Sequence, residues 1–168
     1  MAQQQIQVRQ ESAEDADAVR TVLLSAFPTA EEADLVTALR ADAAWLPEFS
    51  LVAEASESVI GHVLMTRCTV DGQPALALAP VSVLEKFQRQ GVGTQLVEAV
   101  LEAARAAGEN TVVVVGHPEY YPRFGFQRAS DHGVTVPVDA PDDAVMVLAL
   151  SDEPIPAGMV GYAEAFGL

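Results

Sequence analysis

The sequence is poor in cysteine and lacks the apolar segments that export or membrane insertion requires. Its one cysteine, Cys68, excludes an internal disulfide, and its apolar neighbours predict that it packs as a small hydrophobe. No uninterrupted apolar stretch reaches the ~18 residues of a membrane span. Residues 1–5 have neither the basic patch nor the apolar core of a secretory signal. These absences predict a soluble protein, with the cytoplasm as its expected location.

Basic residues are the second scarcity. Nine lysines and arginines stand against 24 aspartates and glutamates, which gives a formal net charge of -15 and a sequence pI near 4.3. Such a charge opposes binding to nucleic acid phosphates and to anionic lipid. We therefore expect no nucleic-acid partner and no membrane partner. The acid excess suits either a cationic partner or a solvated surface that maintains solubility.

The first third of the chain predicts one strand and two helices. Residues 6–9 alternate apolar and polar side chains, as a short strand does. Ser12 and Asp15 have the spacing of a capping box, which predicts a helix that Pro28 ends. A second helix is predicted from Thr29. Its buried side is expected to carry Leu35, Val36 and Leu39.

An antiparallel meander is predicted next. Residues 41–49 have no clean period and are expected to cross from the helices to the sheet, with Trp45 in the core. Asp71 and Gly72 form a strong hairpin signal between two strand-like runs. The three strand-like runs are residues 51–55, 59–70 and 75–83.

A crossover unit follows the meander. Gly91 and Gly93 open an amphipathic helix, and Gly108 stands where its C-cap is expected. The β-branched run at residues 111–115 predicts a strand that is buried on both faces and parallel to the strand before the helix. Further strand-like segments are residues 134–138 and 144–150, and a short strand is expected at 160–162.

These elements predict a mixed α/β fold in a single domain. Its length of 168 residues suits one sizeable core. We expect the domain to span residues 1–168, with its core at about 6–150 and a C-terminal extension at 151–168.

The glycine turn at residues 88–93 has the features of a phosphate site. Glycine has no Cβ, so ligand oxygens can approach the backbone, and the first amides of a helix have no internal acceptor. A dinucleotide fold would need a third glycine, but that position holds Leu96. A P-loop would need Lys and then Ser or Thr after its last glycine, but Gly93 is followed by Thr94 and Gln95. Both common nucleotide sites are therefore excluded.

Two motifs resemble those of the GNAT family of N-acetyltransferases. Residues 88–93 read Gln-x-x-Gly-x-Gly, like the family's acetyl-coenzyme A motif, and residues 121–126 resemble its Tyr-x-x-x-Gly-Phe signature. The run at 117–126 and the stretch at 156–162 also resemble the bacterial branch named after YhbS. The resemblance covers about residues 6–150 and implies an acyl-CoA N-acyltransferase fold. In that fold a mixed, mostly antiparallel sheet is splayed around a central parallel strand pair and flanked by helices.

The resemblance also implies a cofactor site. The backbone amides from Arg89 through Gln90, Gly91, Val92 and Gly93 to Thr94 would hold the pyrophosphate of acetyl-coenzyme A. The backbones of Val81 and Val83 would pair with its pantetheine arm, and the side chains of Gln88 and Arg89 would add contacts. In the family's pattern Tyr121 is the proton donor to the departing thiolate.

Other catalytic assignments stay open at this point. Tyr120 is the alternative acid if the loop is shifted, and His117 is a candidate base for the amine, directly or through water. Glu54 and Glu85 are alternatives for the base or for binding the substrate ammonium. A metal site from His117, Glu119, Asp131 and His132 lacks any familiar ligand spacing, so no metal is expected.

The expected activity is transfer of an acetyl group from acetyl-coenzyme A to a primary amine on a small-molecule or peptide acceptor. The resemblance also allows a homodimer. The rival hypothesis is a coenzyme A-binding sensor or interaction module that has the same fold and no turnover. A nucleotide oxidoreductase is a more distant alternative.

Overall fold

Across residues 5–168, a mixed β-sheet flanked by three α-helices forms the fold. The structure is a computed structural model and describes residues 5–168. The elements are β1 Ile6–Gln10, α1 Ala16–Ala26, α2 Glu31–Arg40, β2 Ser50–Ala55, β3 Ser58–Val70, β4 Gln73–Val83, α3 Val92–Ala106, β5 Thr111–Val115, β6 Gln127–Arg128, β7 Val134–Thr135, β8 Val145–Ala149 and β9 Gly158–Gly161. The strand order is β1-β2-β3-β4-β5-β8-β6, with β9 beside β3 and β7 beside β9.

Strand directions confirm the predicted fold class. Along the main path all neighbours are antiparallel except β4 and β5, which run parallel. The crossover between these two strands is α3, as the β-branched run after an amphipathic helix predicts. The glycine turn therefore extends from a central strand of the sheet.

Side chains along β3 point alternately to the two faces of the sheet, and the core is divided between those faces. Val63 and Met65 pack with α3, whereas Leu64 packs with α1 and α2 on the opposite face. Each fully buried leucine or valine contributes roughly 1.5–3 kcal/mol, so this packing holds α3 firmly against the sheet. The buried stripe of α3 consists of Val92, Leu96, Val97, Val100, Leu101 and Ala104. No helix within residues 5–168 is long and apolar enough to cross a membrane.

The C-terminal segment covers a third part of the core. Strand β9 pairs with the end of β3, where Val70 lies opposite Val160. Val160 packs in one cluster with Val134 and Cys68. Burial raises the pKa of the Cys68 thiol to about 12, which agrees with its expected role as a small hydrophobe.

The structure differs from the sequence prediction near α2. This helix begins at Glu31 instead of Thr29. The Thr29 hydroxyl lies outside the helix and accepts a hydrogen bond of 3.3 Å from the Glu31 amide. Leu35 is half-buried. Trp45, expected in the core, is also half-buried, and the Arg40 guanidinium lies 5.0 Å from its ring centroid.

The strands after α3 also differ from their predicted lengths. Only Val134–Thr135 of the predicted run at 134–138 forms a strand, because Pro137 has no amide to donate to a ladder. Strand β6 was not predicted, since its two residues are too few to show a period.

Candidate functional site

The glycine turn places the start of α3 directly after the end of β4. Gly91 is the N-cap of α3 and has φ of 83°, a conformation that glycine adopts without a Cβ penalty. A Cβ at Gly91 would meet nothing within 4 Å, so its backbone conformation, and not a shortage of space, favours glycine there. The first amide bonded within the turn is that of Gln95, which donates to the Gly91 carbonyl at 3.0 Å. The amides of Val92, Gly93 and Thr94 have no acceptor inside the helix.

Glutamine side chains brace this loop from within. Gln88 donates its side-chain amide to the Val83 carbonyl at 3.0 Å, and Gln90 donates to the Lys86 carbonyl at 3.2 Å. The first bond ties the loop to the last residue of β4, and the second joins two residues of the loop. They hold the backbone in the shape that exposes the helix amides.

Strands β4 and β5 part immediately before the glycine turn. They pair only at Leu76 with Val112 and at Ala77 with Val113, although β4 continues to Val83. Strand β5 continues to Val115 while paired with β8 on its other side. In the part of the chain that the structure describes, residues 78–83 of β4 therefore present an unpaired edge to the opening between the two strands. Such an edge can hydrogen-bond an extended ligand as an added strand.

Two adjacent tyrosines border this opening from the β5 side. The chain turns after β5 into a 3-10 helix at Tyr121–Phe124, which Gly125 ends with φ of 99°. The rings of Tyr120 and Tyr121 meet edge to face with centroids 5.1 Å apart. The Tyr121 ring also meets Phe126 edge to face at 5.8 Å. This aromatic packing fixes the segment against the core.

Tyr120 contacts the start of α3. Its hydroxyl shares a hydrogen bond of 2.9 Å with the Thr94 hydroxyl. The Tyr120 ring and the glycine turn enclose a cavity of about 370 Å³. The lining consists of Val83, Phe87, Gln88, Arg89, Gly91, Val92, Gly93, Thr94, Tyr120 and Arg123.

Tyr121 lies beside this cavity and packs towards the core. Its ring fits against Gly116, where a Cβ would lie 2.6 Å from Tyr121 Cε2. Burial, and to a smaller extent the neighbouring Tyr120, raises the pKa of Tyr121 to about 12. Its phenol therefore keeps its proton throughout the neutral pH range.

Most residues predicted for the cofactor line the cavity. Val81 and Gln90 lie outside the lining, although a Val81 methyl is 3.9 Å from where a Gly93 Cβ would stand. The sequence interpretation missed Phe87 and Arg123. Arg123 stands two residues after Tyr121, at one of the variable positions of the Tyr-x-x-x-Gly-Phe motif.

The candidate bases have different surroundings. His117 follows β5 and its side chain is 82% exposed, with Nδ1 3.8 Å from the Glu119 carboxylate. Glu54 accepts a hydrogen bond from Arg9 Nε at 2.8 Å. Glu85 is exposed, and its backbone amide donates to the Ser25 hydroxyl at 3.1 Å. Within residues 5–168 no group of three or more His, Cys, Asp or Glu side chains is placed to hold a metal ion.

Comparison with known proteins gives consistent matches across the chain. The Acetyltransferase (GNAT) family profile matches residues 16–126, which include the glycine turn and the tyrosine segment. The Escherichia coli protein YjhQ, an uncharacterized N-acetyltransferase, is 40% identical over 134 residues, which are 77% of this chain and 74% of YjhQ. Escherichia coli YhbS, also an uncharacterized N-acetyltransferase, is 34% identical over 164 residues, 95% of this chain and 97% of YhbS.

Solved structures resemble the whole chain. The crystal structure of Escherichia coli YhbS in complex with coenzyme A has a TM-score of 0.93 at 32% identity, covering 100% of this chain and 95% of that one. A GNAT acetyltransferase from Brucella melitensis in complex with acetyl-coenzyme A has a TM-score of 0.81 at 31% identity, covering 98% of this chain and 99% of that one.

Proposed function

Because this chain belongs to the acetyltransferase (GNAT) family, we propose that it transfers the acetyl group of acetyl-coenzyme A to a primary amine of a small-molecule or peptide acceptor. The observation that carries this proposal is the opening between β4 and β5, which meets the free amides of α3 at one end. The coenzyme A complexes of similar structures support the same cofactor.

The backbone from Arg89 to Thr94 would hold the pyrophosphate. Free amides and the partial positive charge of a helix N-terminus favour an anion there, by ~0.3–1 kcal/mol at exposed sites. The pantetheine arm would lie along the unpaired edge of β4, where the backbones of Val81 and Val83 are the proposed hydrogen-bonding partners. This placement directs the thioester into the opening between the strands, near Tyr121.

The proposed reaction is direct attack of the neutral amine on the thioester carbonyl carbon. The new bond is C–N, and the C–S bond breaks as the tetrahedral intermediate collapses. Tyr121 would donate its phenolic proton to the departing thiolate and recover a proton from solvent. Its pKa of about 12 keeps that proton available at neutral pH.

His117 is the proposed acceptor of the proton that the amine loses. Its exposure of 82% suits transfer through water more than direct contact with the nucleophile. The net charge of -15 favours a cationic acceptor, which must lose a proton before it attacks.

Thiol release with a panel of acceptor amines tests the activity, and Tyr121→Phe tests the acid. We expect Tyr121→Phe to lower kcat about 100-fold, within the range of general acid catalysis, while the Kd of coenzyme A is kept. Tyr162→Phe is the matched control, because it removes the hydroxyl of another half-buried tyrosine that packs against a different core cluster from Tyr121. A kcat equal to that of the wild type in Tyr121→Phe would exclude Tyr121 as the general acid. Coenzyme A binding without amine-dependent thiol release from any amine would instead indicate a sensor.

A further inference from the structure

Tyr120 is held by its hydroxyl, by its ring and by its backbone carbonyl. The hydroxyl shares a hydrogen bond of 2.9 Å with the hydroxyl of Thr94, the third residue of α3. The Arg123 guanidinium carbon lies 4.2 Å from the Tyr120 ring centroid, and Arg123 Nε donates to the Tyr120 carbonyl at 2.9 Å. The Phe124 ring meets the Tyr120 ring edge to face at 5.4 Å. Together these contacts leave the Tyr120 ring little freedom to move.

Tyr121, the proposed acid, has no such tether. Its hydroxyl forms no hydrogen bond with any of residues 5–168, so packing alone determines where the phenol lies. The ring rests against Gly116, where a Cβ would be 2.6 Å from Tyr121 Cε2, and against Phe126 with centroids 5.8 Å apart. It also meets the Tyr120 ring edge to face at 5.1 Å. Because the contact is close, a shift of the Tyr120 ring would displace Tyr121.

The bond between Tyr120 and Thr94 joins the tyrosine segment to the helix that holds the donor in the proposed function. There the first amides of α3 and the edge of β4 position the thioester. An acid must come within about 2.6–3.2 Å of the atom that it protonates, and an error of about 1 Å can cost roughly 100-fold in rate. Attachment of the acid's neighbour to α3 therefore gives the acid and the thioester a common point of reference.

We propose that Tyr120 is a positioning residue for Tyr121, and that its hydrogen bond to Thr94 sets the distance between the acid and the departing thiolate. This inference rests on the proposed function, since Tyr121 is the acid of the proposed reaction. Tyr120 itself transfers no proton. Its hydroxyl holds its own ring in place, and that ring holds Tyr121.

Steady-state kinetics of Tyr120→Phe and Thr94→Val test this role. Each variant removes one end of the same bond and nearly keeps the size of its side chain, so both should lower kcat about tenfold. The Kd of coenzyme A, measured by calorimetry, should not change, because the backbone amides of α3 stay in place. Thr94→Ser should recover the wild-type kcat, because it restores the hydroxyl. Tyr162→Phe is again the control for loss of a tyrosine hydroxyl in a different core cluster.

Double variants separate positioning from catalysis. Tyr120→Phe with Thr94→Val should lower kcat no further than either change alone, because both break one hydrogen bond. In a Tyr121→Phe background, Tyr120→Phe should have no further effect, since the hydroxyl that it positions is already absent. A loss of kcat in Tyr120→Phe without one in Thr94→Val would make Tyr120 itself the acid and overturn the proposal. A raised Kd with an unchanged kcat would assign the bond to cofactor binding and overturn it as well.

A second readout does not depend on turnover. The chain has three tyrosines, so labelling with 3-fluorotyrosine gives three fluorine NMR resonances, which the three tyrosine-to-phenylalanine variants assign. Thr94→Val should shift the Tyr121 resonance and leave that of Tyr162 in place, and Thr94→Ser should restore it. An unchanged Tyr121 resonance in Thr94→Val would overturn the proposal. If the resonance shifts but the wild type releases no thiol with any amine, the proposed function fails while the positioning of Tyr121 by Tyr120 stands.

Discussion

Two neighbouring tyrosines of the same loop have different hydrogen-bonding surroundings. The hydroxyl of Tyr120 is bonded to Thr94, whereas within residues 5–168 the hydroxyl of Tyr121 has no hydrogen-bond partner. Burial raises the pKa of Tyr121, and its ring is wedged between Gly116 and Phe126. The hydroxyl of Tyr120 is therefore already hydrogen-bonded and that of Tyr121 is not. The sequence Tyr-Tyr alone does not show this difference.

Gly116→Ala should displace Tyr121 and lower activity. The added Cβ would lie 2.6 Å from Tyr121 Cε2, and the ring cannot move freely because Phe126 packs against it. Overpacking of this kind costs about 1–3 kcal/mol, so we expect a lower unfolding midpoint and a lower kcat. Urea denaturation and steady-state kinetics measure the two effects.

The double variant Gly116→Ala with Tyr121→Phe tells whether the loss of rate passes through the tyrosine hydroxyl. If it does, the glycine substitution should lower kcat no further once that hydroxyl is absent. Additive effects of the two changes on kcat would contradict this explanation.

His62 is a buried neutral histidine in a polar network. Its side chain is fully buried, and Nε2 is 2.9 Å from the Ser50 hydroxyl, which donates in turn to Glu11 at 3.2 Å. Glu11 also pairs with Arg40. Desolvation is the largest influence and lowers the pKa of His62 from 6.5 to about 4, although nearby Glu11 opposes that shift.

Stability should therefore fall in mild acid. Below pH 6.5 the unfolded histidine binds a proton that folded His62 does not bind until about pH 4. Acidification across that window should cost roughly 3 kcal/mol of unfolding free energy. Asp15, whose pKa is held low mainly by its hydrogen bond from Arg9, should add its own loss only below its ordinary value of 3.8.

Urea titrations at a series of pH values measure how the unfolding free energy depends on pH. His62→Gln should flatten this dependence of unfolding free energy on pH, whereas His117→Gln, at an exposed position, should leave it unchanged. If His62→Gln does not fold, calorimetric proton uptake on unfolding of the wild type gives the same information. An unfolding free energy that is constant between pH 6.5 and 4 in the wild type would contradict the assignment.

At the scale of elements, the C-terminal segment is attached to the α2 side of the fold through one carboxylate. The Asp42 carboxylate accepts hydrogen bonds from the backbone amides of Ala44, at 2.8 Å, and Ala165, at 3.1 Å. Phe166 packs beside the core cluster that contains Val36 and Leu39. The chain end thus closes the helical face of the sheet, where α1 and α2 would otherwise be less covered.

Asp42→Ala should loosen this attachment. Two amides lose a charged acceptor, for which we expect a loss of about 1–3 kcal/mol in unfolding free energy. Asp34→Ala is the control, because its ion pair with Arg20 is exposed and such pairs contribute at most ~1 kcal/mol. Equal effects of the two variants in urea denaturation would mean that the attachment adds little stability.

At the scale of the whole molecule, the excess of carboxylates determines the response to salt. The net charge of -15 makes the compact state repel itself, and the exposed ion pairs offset little of that repulsion. Sodium chloride should therefore raise the unfolding free energy by about 1 kcal/mol as screening increases. Chloride is preferred to sulfate, since sulfate also strengthens apolar burial. A fall of the urea midpoint with chloride would show that ion pairs outweigh the repulsion.

Local patterns in the sequence determined the order of elements and the donor side of the site. Periods of two and 3.6 residues and the unbroken apolar run of β5 predict β1 to β5 and the three helices, because the burial of one face or of both faces is written in each element's own residues. The glycine turn and the tyrosine motif are local as well, since each depends on backbone conformations within a few residues. The short strands β6 and β7 were missed or overextended because pairing with distant partners, and not local period, defines them.

Tertiary structure alone decided which residues meet. The divergence of β4 from β5 after Ala77 and the bond between Tyr120 and Thr94 both involve parts of the chain that are far apart in sequence. No local pattern encodes them, because they arise only when sheet packing brings α3 and the tyrosine segment to the same end of the sheet. The glycine turn and the tyrosine motif were therefore recognisable from sequence, while the contact between them required the fold.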